Sequence, residues 1–81
     1  MRLPRDVSGE ELPLLLRRYS YEVTRQTGSQ MRLTTTRRGE HHITIPLHRP
    51  LRVGALSAIL KDVADHLGMT RQTLVETLFG R

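Results

Sequence analysis

The chain predicts an α+β fold in the order α-β-β-β-α-α, a three-stranded antiparallel sheet with helices on one face and the other face wet. Three observations lead there. Apolar residues recur at helical spacing near the start and again through the last third, whereas the stretch between them alternates apolar and polar residues with a period of two. Turn-forming residues divide that alternating stretch into three. With 81 residues the chain has room for a single domain, 1–81, around one small core.

The first helix is announced by Ser8 and Glu11, which have the spacing of a capping box, and by Leu12, Leu15, Leu16 and Tyr19 behind them. It is expected over about residues 9–18, with Pro13 past the first turn removing a backbone hydrogen bond. In the first strand Tyr21, Val23 and Arg25 share one face, and Glu22, Thr24 and Gln26 the other. Gly28-Ser29 forms a turn, after which Met31 and Leu33 alternate with Gln30, Arg32 and Thr34. Arg37-Arg38-Gly39-Glu40 forms the next turn; His41, Ile43 and Ile45 then alternate with His42 and Thr44 until Pro46 ends the strand. Leu56, Ile59, Leu60, Val63 and Leu67 make a helical stripe that stops at Gly68. Thr70 is placed to cap a last helix carrying Leu74, Leu78 and Phe79.

Composition narrows the function classes. The chain has no Cys, which excludes disulfide scaffolds, thiolate zinc sites and thiol nucleophiles and fits a cytoplasmic setting. Its longest apolar run, around Leu12–Leu16, is far too short to cross a membrane. Between Arg25 and Arg52 six arginines face the single acid Glu40, and the remaining bases and acids balance, so the whole net charge of +5 sits in the middle third. Arginine forks onto phosphate, and a cationic block of this kind suits a polyanion. A membrane surface is not expected, because no basic amphipathic helix accompanies the charge.

The wet face collects Gln30, Arg32, Thr34, His42 and Thr44. Keeping Met31, Leu33, Ile43 and Ile45 inward sets His42 opposite or diagonal to Arg32 or Thr34, with Cβ atoms roughly 5–8 Å apart. A histidine that moves a proton beside an arginine that holds a phosphate is a plausible arrangement for RNA chemistry; two merely exposed side chains are the plainer reading. His41 faces the core side, packed or capping.

At these residues the chain resembles a known family. Leu3-Pro4-Arg5-Asp6-Val7-Ser8-Gly9-Glu10-Glu11-Leu12, Arg25-Gln26-Thr27-Gly28-Ser29, His42-Ile43-Thr44-Ile45-Pro46 with His48, Gly54-Ala55-Leu56 and Ile59-Leu60 are similar to the HicA toxins. The resemblance implies a fold like that of double-stranded-RNA-binding domains, a metal-independent mRNA endoribonuclease without cofactors, and a HicB-like antitoxin partner. It also implies a catalytic histidine after Gly-Ser, where this chain has Gln30. A carboxamide forms hydrogen bonds to phosphate or a 2′-hydroxyl but exchanges no proton at neutral pH. Contact with RNA through Arg25, Ser29, Arg32, Arg37, Arg38 and His48 is then expected, with cleavage weak or absent unless His42 or His48 substitutes.

Other patterns compete. Val63, Ala64, Leu67, Gly68 and Leu74 have helix-turn-helix spacing, with Thr70-Arg71-Gln72-Thr73 opening the second helix. That pair either reads DNA or simply closes the core; the positive charge lies elsewhere, so DNA contact is expected only through an antitoxin complex. His41 and His42 point to opposite faces and do not share a metal ion. His48, between Pro46 and Pro50, either contacts RNA or orders its loop. With only Tyr19, Tyr21 and Phe79 aromatic, base stacking has no platform, and recognition rests on charge and shape.

Overall fold

The computed structural model describes residues 3–80; the ends of the predicted domain, residues 1, 2 and 81, lie outside the described residues. Its elements run α1 (Leu12–Leu16), a 3-10 turn (Arg17–Tyr19), β1 (Glu22–Gln26), β2 (Gln30–Thr35), β3 (His41–Pro46), α2 (Val53–Leu67) and α3 (Arg71–Phe79). The strands form one antiparallel sheet in the order β1-β2-β3. The α+β arrangement with helices over one sheet face is as the patterning predicts. No helix among the described residues is long and apolar enough to cross a membrane.

The capping box forms reciprocally: the Glu11 amide donates to Ser8 Oγ at 3.0 Å, and the Ser8 amide to a Glu11 carboxylate oxygen at 3.4 Å. The regular helix nevertheless starts at Leu12, later than residue 9, and gives way to the 3-10 turn at Arg17. Pro13 therefore lies in the first turn, where its missing N–H has no partner to lose. Gly9, ahead of it, is pressed onto the chain after β3. A Cβ there would collide with the Pro46 carbonyl oxygen. The Gly9 amide donates to the His48 carbonyl at 2.9 Å, and the Leu51 amide to that of Val7 at 2.8 Å.

The core joins Leu12 and Leu16 of α1, Tyr21, Leu33 of β2, Ile43 and Ile45 of β3, and Leu56, Leu60 and Val63 of α2. Gly68 ends α2 in the left-handed region (φ 72°), and the Thr70 side chain accepts from the Thr73 amide at 3.1 Å to start α3. Leu74 and Val75 of α3 are buried.

Candidate nucleic-acid interface

The pairing of β2 with β3 sets Gln30 opposite Pro46, Arg32 opposite Thr44 and Thr34 opposite His42, all on the face away from the helices. Leu33, Ile43 and Ile45, of opposite parity, are buried beneath it. The wet face is thus ordered along β2: Gln30 at one end, Arg32 in the middle, Thr34 and His42 at the other.

β1 departs from regular alternation. Val23 pairs with Leu33 and Arg25 with Arg32, so Thr24 is an extra residue, a β-bulge. The extra residue reverses the parity behind it. Arg25, expected on the face of Tyr21 and Val23, instead turns to the wet face beside Arg32. Arg25, Thr27, Gln30, Arg32 and Thr44 line one depression of about 310 Å³. None of the five is acidic, and the ion pairs among the described residues involve neither arginine. Val23 keeps the inner parity but lies half-exposed at the sheet's open edge, in a groove with Pro13 and Leu14.

The hairpin between β1 and β2 presents Gln30. The Thr27 amide donates to the Gln30 carbonyl at 2.9 Å, and the Gln30 amide to Thr27 Oγ1 at 3.2 Å. The carbonyl of Ser29 accepts from the Leu47 amide at 2.9 Å, which ties the turn to the loop carrying His48. Ser29 and His48 are exposed at this end of the sheet but outside the lining of the depression. Arg49 in that loop pairs with Glu10; the guanidinium holds the carboxyl below its ordinary range.

Arg37 and Arg38 do not join this surface, contrary to a single cationic block. Arg37 lies across the Tyr19 ring, 5.7 Å from its centre, and donates to the Arg18 carbonyl at 3.3 Å. Arg38 adopts φ 60° in the turn, and its guanidinium sits against Gly68 at the C-terminal end of α2. There a cation meets the negative end of the helix dipole. Both side chains are drawn to the helix layer.

His42, at the far end of the wet face, is held at both ring nitrogens: Nδ1 lies 2.7 Å from Thr34 Oγ1 and Nε2 2.6 Å from Glu40. It stands diagonal to Arg32 and about 14 Å along the strand from the level of Gln30. His41 points the other way, as its core-side parity predicts. Its Nδ1 meets the Tyr21 hydroxyl at 2.7 Å and its Nε2 meets Asp62 at 3.1 Å. The His66 ring stacks on it at 4.3 Å and donates to the carbonyls of Arg37 and Gly39. His66 was not singled out by sequence; its place on the half-buried side of α2, one turn from Asp62, is the signal that was there to read. In α3, Arg71 reaches back to Ser57 Oγ at 3.0 Å, and Lys61 of α2 pairs with Asp65.

The site is thus a small α+β domain's open sheet face on which Arg25 and Arg32 converge, neither held in an ion pair among the described residues. A family model described as HicA toxin of bacterial toxin-antitoxin matches residues 9–64, more than half of the chain. The chain belongs to this toxin family, which implies an antitoxin partner in a toxin–antitoxin pair. The match covers α1 through most of α2 and leaves α3 outside. Neither the curated proteins nor the solved structures contain a match.

Proposed function

We propose that this toxin-family chain acts on RNA. It holds the sugar-phosphate backbone in the depression between Arg25 and Arg32, and it is a slow endoribonuclease because Gln30 stands where the family resemblance puts a histidine. The observation that carries this reading is the bulge at Thr24, which sets two guanidinium groups on directly paired positions with no carboxylate between them. Like charges directly opposite on a sheet repel, and an anion bridging them removes the repulsion. Gln30 adds amide donors to the same depression, suited to a phosphate or a 2′-hydroxyl. Recognition by charge without stacking aromatics makes sequence preference weak. A HicB-like antitoxin that neutralises the chain covers this surface with carboxylates or carbonyls.

Restoring the proton-transfer group is the direct test. A positioned general acid or base contributes on the order of 10²–10⁴ in rate, so Gln30→His accelerates cleavage of a defined RNA by about that factor. Equal cleavage by the two chains under matched conditions would remove Gln30 from the account. Binding measured across a salt series with single-stranded RNA and duplex DNA separates this reading from DNA recognition by α2 and α3.

A further inference from the structure

The wet face holds a second polar constellation at the end away from Gln30. Thr24 Oγ1 lies 2.9 Å from Thr34 Oγ1, Thr34 Oγ1 lies 2.7 Å from His42 Nδ1, and His42 Nε2 lies 2.6 Å from Glu40 Oε2. The direction of the protons follows from chemistry. A carboxylate only accepts, so Nε2 carries the hydrogen and Nδ1 of the neutral ring is the basic nitrogen. Nδ1 then accepts from the Thr34 hydroxyl, and Thr34 Oγ1 accepts from Thr24. Every proton in the chain points toward Glu40. A hydroxyl bonded to an imidazole that is itself oriented by a carboxylate is the arrangement that activates hydroxyl groups in acyl- and phosphoryl-transfer sites.

The constellation is reachable. The His42 side chain is 37% exposed and Thr34 is half-buried on an open sheet. Thr34 Oγ1 has two lone pairs, one taken by Thr24, which leaves the other for an incoming hydroxyl. Arg32 is the next residue on the same face of β2, about 7 Å away along the strand, within a guanidinium's reach of a phosphate beside Thr34. Gln30, twice as far, belongs to the depression that holds the RNA strand and takes no part in this proton chain.

We propose that Thr34 and His42 are the proton-accepting pair for RNA cleavage by this chain, with Glu40 as a positioning residue; this rests on the RNA reading above. A ribose 2′-hydroxyl donates to Thr34 Oγ1, and Thr34 passes its own proton to His42 Nδ1. The 2′-oxygen bonds to phosphorus as the bond from phosphorus to the 5′-oxygen breaks, with Arg32 against the phosphate oxygens. The leaving 5′-oxygen takes a proton from water, and the hydroxide formed takes back the proton gained by His42. A 2′,3′-cyclic phosphate and a 5′-hydroxyl result, and nothing else is consumed.

The experiment measures single-turnover cleavage of one single-stranded RNA oligomer, with fluorescence anisotropy of the same oligomer reporting binding. His42→Ala and Thr34→Val are expected to slow cleavage at least a hundredfold while the Kd stays within threefold. Added imidazole restores part of the His42→Ala rate, and Thr34→Ser recovers cleavage that Thr34→Val has lost. Glu40→Ala lowers the maximal single-turnover rate and leaves the half-saturating concentration within twofold. Cleavage at the unaltered rate by His42→Ala and Thr34→Val overturns the proposal and leaves the RNA reading standing. A parent chain that binds the oligomer without cutting it overturns the proposal together with the slow cleavage above, and leaves only RNA binding standing. Failure of the parent chain to bind RNA at all removes both.

Discussion

Arg25 and Arg32 occupy paired positions on neighbouring strands, and each is expected to neutralise phosphate. For single-stranded nucleic acid each neutralised phosphate contributes about 0.7 to the slope of log affinity against log salt. Arg25→Ala and Arg32→Ala are therefore expected to weaken RNA binding at low salt and to lower that slope by about 0.7 each, read from titrations at several salt concentrations. Arg37→Ala leaves the slope unchanged, because its guanidinium is spent on the Tyr19 ring and the Arg18 carbonyl. Residue identity alone does not make this division. Arg25, Arg32, Arg37 and Arg38 lie in the same basic stretch of sequence, and only their side-chain directions separate the two that share the wet face from the two that brace the helix layer.

The strands β2 and β3 are legible in the sequence because their alternation is unbroken from Gln30 to Thr35 and from His41 to Ile45. β1 is legible as a strand, but the facing of its second half is not, because a bulge adds one residue without any compositional mark. Thr24 is a good strand residue whether it is bulged or regular. The first helix is legible in its capping box and misread in its start, since a box satisfies the amides of a turn as readily as those of a helix. Gly9 shows how such a segment is held. Its missing Cβ lets the chain before α1 lie against the Pro46 carbonyl, so Gly9→Ala is expected to lower stability by about 1–3 kcal/mol through overpacking. Chemical denaturation measures the loss. The change also loosens the loop from Leu47 to Leu51, which faster amide hydrogen exchange at Leu51 reports.

Across the whole molecule, Tyr21 ties the layers together. It is fully buried, its hydroxyl meets His41 of β3, and His41 meets Asp62 of α2. Burial pushes this phenol up to about 12, and the Asp62 carboxylate adds to the rise. A phenol whose folded value lies above its ordinary 10 stabilises the fold fully below pH 10, and that contribution is lost as pH rises through 10 toward 12. Melting temperatures across pH 8 to about 11.5 are expected to fall at the alkaline end in the parent chain, and Tyr21→Phe flattens that fall. The sequence by itself determined the α+β class, the polar faces of β2 and β3, the closing caps at Gly68 and Thr70, and the family. The first three rest on local periodicity and on short-range hydrogen bonds between residues a few positions apart, and the family rests on the match of its motifs over residues 9–64. Only the tertiary structure decided that Arg25 turns to the wet face, that Arg37 and Arg38 turn from it, and that Glu40, His42, Thr34 and Thr24 line up. Each of these depends on which atoms a side chain meets across strands or between sheet and helix, and such encounters are fixed by register and packing.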